Sequence, residues 1–198
     1  MQLTLQNVGK HYNHQWLFRN VSFNLNTGES IAILGKNGSG KSTLLQIIFG
    51  LVKASEGRVD MDQSIDKDHQ YFSLTSPLMA LPQEFSINEL LAYQQQLKKI
   101  TLTNDEFLEK AMFSKKEADL QIGLFSSGMQ QRLKTALCLF SVSPVKLLDE
   151  PLSNMDKDGE IWYSNCMKDV IKGHIVIVAS NDSSEYNLIQ KTINLTGQ

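Results

Sequence analysis

The chain has 198 residues, enough for one α/β domain with a full core and too few for two. Its 19 Lys and Arg nearly cancel 21 Asp and Glu, which excludes the bulk basic field of a nucleic-acid binder, and no apolar run reaches the ~18 residues that span a bilayer. Cys138 and Cys166 lie far apart without metal-ligand spacing, Cys138 in an apolar run suited to a buried free thiol, and the N-terminus lacks a secretory pattern, so a soluble chain in a reducing cytosol is expected.

Residues 2–8 and 21–26 alternate apolar and polar side chains, as half-buried antiparallel strands do. Ser30 to Leu34 is a short apolar strand candidate, and residues 42–49 read as a helix. Between them stands G-K-N-G-S-G-K-S, which matches the phosphate-loop pattern with Gly35, Gly40, Lys41 and Ser42 in the required places. Glycines let the backbone N–H groups of Asn37, Gly38, Ser39 and Gly40 turn inward around a polyphosphate, and the helix N-terminus at Lys41, Ser42 and Thr43 adds its positive dipole end. Lys41 can reach the β- and γ-phosphates of ATP, and the Ser42 hydroxyl can ligate Mg²⁺.

Residues 87–99 and 104–119 are polar-rich with apolar residues at helical spacing, Ile87, Leu90 and Leu91 and then Phe107, Leu108, Ala111 and Met112. They suggest a helical insertion over about 78–130 within a single domain of 1–198; the plainer alternative is two ordinary surface helices. Residues 31–34, 145–148 and 175–179 are continuous apolar runs, as in strands of a parallel sheet covered on both faces. The middle run ends in Asp149-Glu150-Pro151. At the carboxyl edge of such a sheet Asp149 can hold the Mg²⁺ shell and Glu150 can polarise a water in line with the γ-phosphate, whereas a solvated turn is the bland reading.

Residues 125–132, F-S-S-G-M-Q-Q-R, resemble the L-S-G-G-Q-x-Q-R signature of ATP-binding cassette (ABC) ATPases. Ser126, Gly128, Gln131 and Arg132 match, while Phe125, Ser127 and Met129 depart. Ser126 and Gly128 at a helix N-terminus would make a second anion cradle, which in that family closes on ATP held by the opposite subunit. The resemblance implies that Tyr12 stacks on adenine, with Trp16 the competing ring and core packing the alternative for either. It sets Ser153-Asn154-Met155-Asp156 as the loop in which Asp156 faces the partner's phosphate loop, and Ser55 to Val59 as the turn into the next strand.

Two family features are altered. The glutamine expected between core and insertion falls at about Ser76 or Pro77, and Gln83 nearby reads as an exposed loop residue more readily than as its substitute. The switch histidine is replaced by Asn181, whose amide can still donate to a γ-phosphate but carries no charge; capping a helix near Ser183 is its other reading. His174 would lie at the wrong edge of the sheet, and His11, His14 and His69 are scattered.

The resemblance therefore implies a P-loop NTPase fold of ABC type, with a mostly parallel sheet, an N-terminal antiparallel β flank and an inserted helical subdomain. It implies an ATP-hydrolysing transporter subunit using ATP and Mg²⁺, with Lys41, Glu150 and Asn181 at the reaction. Its partners would be a transmembrane permease and a second copy or a paralogous ATP-binding subunit, at the cytoplasmic face of a membrane, with no nucleic acid. A soluble ABC-type clamp and a small-molecule kinase are the other classes; the kinase would not need residues 125–132 in this place.

Overall fold

Alternation of apolar side chains decides which face of the first two strands is buried. In the computed structural model, which describes residues 1–62, 71–97 and 99–195, β1 (Gln2–Tyr12) and β2 (Gln15–Asn26) pair antiparallel. Leu3, Leu5 and Val8 from one strand and Phe18, Val21 and Leu25 from the other enter the core. Both strands run past their expected limits because Asn13 and His14 close the hairpin in the left-handed region, at φ 47° and 64°, and this turn matches the strand twist. His69 and Lys98, the latter inside the expected helix 87–99, lie outside the described residues.

β3 (Ser30–Leu34) leads through the glycine-rich loop into α1 (Lys41–Phe49). β4 (Glu56–Met61) then pairs with the free edge of β1, giving a three-stranded sheet of order β2-β1-β4. The second sheet is parallel throughout. It contains β5 (Phe72–Thr75), β6 (Val145–Asp149), β7 (Ile175–Ala179) and β8 (Lys191–Asn194) in the order β5-β6-β7-β3-β8. Its three central strands are the continuous apolar runs; β5 and β8 are four-residue edge strands whose half-exposed sequences carry no such run.

The period of two splits the central strands between two cores. Leu147, Ile175 and Ile177 pack with Ile31, Ile33, Leu44 and the hairpin residues on one face. Leu148, Val176 and Val178 pack on the other face against α5 (Ser127–Leu139) and α6 (Lys157–Gly173). Sheet strands buried on both faces, as expected from their composition, are the result.

The helices after β5 join this second core. They are α2 (Ile87–Gln96), α3 (Asn104–Ala111) and α4 (Lys115–Ala118), followed by a short 3₁₀ turn at Ile122–Leu124. The expected helix 104–119 is in fact two. Met112 adopts φ 55° and ends α3, and the reciprocal Ser114–Glu117 capping box starts α4 afresh. Leu90, Leu91, Phe107 and Leu108 share one apolar cluster with Leu133 and Trp162, and the Trp162 Nε1–H donates to the Lys110 carbonyl at 2.7 Å. Cys138 is buried, as expected. A last short helix, α7 (Ser183–Tyr186), follows β7.

Candidate functional site

Because β6, β7 and β3 are neighbours, their carboxyl ends bring three loops to one sheet edge. The Glu150 N–H donates to the Ala179 carbonyl at 3.0 Å, and the Ser180 N–H donates to the Ile33 carbonyl at 3.2 Å. The loop before α1 turns back through a Ser39 N–H to Lys36 carbonyl bond of 3.0 Å. Gly40 sits at φ 98°, and a Cβ there would come within 2.7 Å of the Leu17 and Phe18 side chains. Only glycine fits both constraints.

Among the described residues no side chain caps α1, so its first-turn N–H groups can bind an anion. Lys41 is only 6% exposed, and its Nζ donates to the Gly35 carbonyl at 2.8 Å. Asn37, Gly38, Gly40, Lys41, Ser42, Thr43 and Glu150 line one cavity of about 290 Å³. Leu17 of β2 completes it, an apolar residue in no motif that reaches the site only through the packing of the hairpin.

Asp149 closes the end of β6 and is 4% exposed. Burial pushes its carboxyl above the usual range, against the opposing pull of hydrogen bonds from Ser42 and Ser76. The Ser76 hydroxyl donates to Oδ2 at 3.1 Å, whereas Oδ1 is buried without a hydrogen-bond partner among the described residues. A hydroxyl and a carboxylate with one oxygen unclaimed are hard oxygen donors of the kind Mg²⁺ takes. Among the described residues no group of three or more His, Cys, Asp and Glu could hold a metal by itself. Ser76 is one of the two positions, with Pro77, where the family's glutamine is expected, and its contact was not legible because 73 residues separate it from Asp149.

Glu150 has φ 44°, a left-handed conformation that costs a non-glycine residue about 1–2 kcal/mol. Three bonds hold it there. Besides the N–H bond to Ala179, its carbonyl accepts from the Ser153 N–H at 3.1 Å and the Gln131 amide at 3.3 Å.

The Asn181 amide donates to Asn37 Oδ1 at 2.8 Å, which places it on the phosphate loop. The cap of α7 is Asp182, whose Oδ1 accepts from the Ser184 N–H at 2.9 Å; the capping alternative for Asn181 is thereby corrected. His174 ends α6 at the opposite edge, with Nδ1 2.8 Å from the Val170 carbonyl. Gln83 stays in its own loop, donating to the Leu81 carbonyl at 2.7 Å and accepting from Gln130 at 3.4 Å. Tyr12 ends β1 half exposed, away from the 290 Å³ cavity, with the Lys10 ammonium 4.7 Å from its ring. The Trp16 ring already carries Arg19 at 4.1 Å and the His11 edge at 4.9 Å, leaving Tyr12 the freer of the two.

Ser126, Gly128 and Asp156 gather elsewhere, around a cavity of about 250 Å³ that contains none of the phosphate-loop residues. Ser126 caps α5 by accepting from the Met129 N–H at 3.2 Å, and Asp156 caps α6 by accepting from the Gly159 N–H at 2.9 Å. Gly128 lies so close to the next loop that a Cβ would meet the Asn154 carbonyl at 2.7 Å. A third, largely apolar cavity of about 590 Å³ opens beside β5, where Leu51, Leu78, Met79 and Leu81 surround a floor that includes Ser42, Ser76 and Asp149.

Residues 18–153 match the family model described as ABC transporter. The chain is 31% identical over 199 residues to the cytochrome c biogenesis ATP-binding export protein CcmA of Haemophilus influenzae, covering 96% of this chain and 93% of that protein. It is 30% identical over 190 residues to the protein of the same name from Agrobacterium fabrum, covering 91% and 89%. Among solved structures, a dimeric ATP-binding cassette in a post-hydrolysis state with ADP and Pi superimposes with a TM-score of 0.83 at 25% identity, over 98% of this chain and 94% of that one.

Proposed function

This chain belongs to the ABC transporter family, whose ATP-binding and ATP-hydrolysing subunit it is, and on that premise we propose how its residues divide the reaction. The carrying observation is the buried Asp149, its Oδ1 without a partner among the described residues, on a shared cavity wall with Ser42, which in turn lines the phosphate-loop cavity with Glu150. Lys41 exchanges the Gly35 carbonyl for β- and γ-phosphate oxygens, and the N–H groups of the loop and of α1 surround the polyphosphate. Ser42 and Asp149 would hold Mg²⁺, which would supply positive charge to neutralise the phosphate oxygens. Glu150 accepts a proton from the water whose oxygen attacks the γ-phosphorus; the bond to the β–γ bridging oxygen breaks and ADP leaves. Asn181 donates to the γ-phosphate once its amide turns from Asn37, and Tyr12 stacks on the adenine.

Subunits of this family work as dimers with membrane components, and among the described residues no helix is long and apolar enough to cross a membrane. Ser126, Gly128 and Asp156 serve the nucleotide of a second copy or a paralogous subunit, a reading supported by their separation from the phosphate loop within one chain. The residues at about 78–130 form the helical insertion of the single domain. A cytoplasmic segment of the permease occupies the apolar cavity beside β5, holding this chain at the cytoplasmic face of the membrane. That choice is supported by the cavity floor: whatever fills it lies against Ser76 and the metal-binding Asp149. Glu150→Gln tests the assignment. Its amide keeps the shape and can hold water but accepts no proton, so nucleotide binding is retained while Mg²⁺-dependent hydrolysis stops. A variant that hydrolyses MgATP at the parental rate refutes the role of Glu150.

A further inference from the structure

One buried acid is left unused by this mechanism. Glu185 in α7 is 5% exposed and makes no ion pair with Lys, Arg or His among the described residues. Its Oε1 instead accepts the Leu152 N–H at 2.7 Å, and its backbone N–H meets the Asp182 carbonyl, which the Ser180 hydroxyl also reaches at 3.2 Å. The two contacts belong to different loops. Leu152 lies in the loop after β6, between Glu150 and Asp156, where the Met155 N–H donates back to the Leu152 carbonyl at 2.9 Å. Ser180 precedes Asn181 in the loop after β7, and the Asp182 N–H closes that loop on the Ser180 hydroxyl at 2.8 Å.

The backbone of Glu185 is fixed from both sides. Its N–H donates to the Asp182 carbonyl at 3.1 Å, and its own carbonyl accepts the Tyr163 hydroxyl at 3.0 Å. An ionised carboxylate away from water is unfavourable without compensation, and burial pushes this one up to about 7. What compensates it is the Leu152 N–H, a donor from the loop after β6.

We propose that Glu185 is a positioning residue that joins the loop carrying Asn181 to the loop carrying Asp156, so that occupancy of the phosphate loop is felt at the partner-facing surface. The route is continuous: Asn37 to the Asn181 amide, the adjacent Asp182 carbonyl to the Glu185 N–H, the Glu185 carboxylate to the Leu152 N–H, and from there to Asn154, whose carbonyl abuts Gly128. The proposal rests on the nucleotide site as assigned above.

Hydrogen exchange of the full chain, with and without a non-hydrolysable ATP analogue and Mg²⁺, tests it. In the unsubstituted protein the analogue slows exchange in peptides covering 35–49 and 150–158. Glu185→Leu keeps the volume without the acceptor: slowing at 35–49 persists, analogue affinity stays within about threefold, and slowing at 150–158 falls at least about fivefold. Glu185→Gln keeps an acceptor for Leu152 and restores it. Leu152→Pro deletes the same N–H from the other side and reproduces the Leu result, which keeps the test decisive should Glu185→Leu not fold. Full slowing at 150–158 in Glu185→Leu or Leu152→Pro, or a Gln variant that melts normally yet fails like Leu, overturns the proposal. Absence of slowing at 35–49 in the unsubstituted chain is a separate result, overturning the nucleotide site on which it rests.

Discussion

At the scale of single residues, the chemistry concentrates where the backbone is least ordinary. Lys41 is the buried cation of the phosphate loop, and its Nζ donates to the loop carbonyls of Gly35 and Lys36. Lys41→Ala is expected to lower ATP turnover at least ~10²-fold, as loss of a main electrostatic stabiliser does, measured as steady-state phosphate release. Asn181 offers a finer test. Its amide faces Asn37 while Asp182 caps α7, so Asn181→Ala should slow hydrolysis with little change in the thermal midpoint, whereas Asn181→His should raise the rate or leave it unchanged. A variant that melts early but hydrolyses normally would return Asn181 to a structural role. The contiguous motif from Gly35 to Ser42 and the pair Asp149-Glu150 were legible because each needs only local context. Leu17, Ser76 and Glu185 were not, since each becomes meaningful only against a segment far along the chain.

At the scale of elements, the three central strands announced themselves by composition, while edge strands β5 and β8 and the break between α3 and α4 did not. The break was written locally, in the Ser114-x-x-Glu117 box, but the apolar spacing ran across it. Ser114→Ala removes a cap that also pairs with Glu117, and a loss of about 1 kcal/mol is expected in denaturant unfolding. β6 carries a stronger signal. Lys146 is wholly buried in it, with Nζ donating to the Ser141 carbonyl at 2.7 Å and hydroxyl at 2.8 Å, and burial lowers its pKa from 10.5 to about 8. Between those values the unfolded chain binds the extra proton, so this group's contribution to stability rises with pH from about 8 to 10.5. The full span is on the order of 3 kcal/mol. Lys146→Met should flatten that part of the stability profile relative to the parent, as measured by unfolding at several pH values.

At the scale of the whole molecule, the apolar cavity beside β5, the phosphate-loop cavity and the cavity at Ser126 open at different places. Leu78 is 88% exposed at the rim of the first, far more than folding of this chain requires. Leu78→Asp should abolish co-purification with the permease while leaving nucleotide binding by the isolated chain unchanged; retained co-purification would move the docking site elsewhere. The order of phosphate loop, signature-like segment and Asp149-Glu150 made the architecture legible from the sequence. The cavity beside β5 was not, because its walls come from α1, β5, α5 and the loop after β5 together. The separation of the cavity at Ser126 from the phosphate-loop cavity also has a kinetic consequence. If each competent site is assembled from two chains, hydrolysis by the isolated protein is second order in protein at high dilution. Specific activity should then rise in proportion to concentration before it levels off. On that assembly a dispersed chain would be nearly silent towards ATP, and catalysis would begin only where molecules are gathered in pairs.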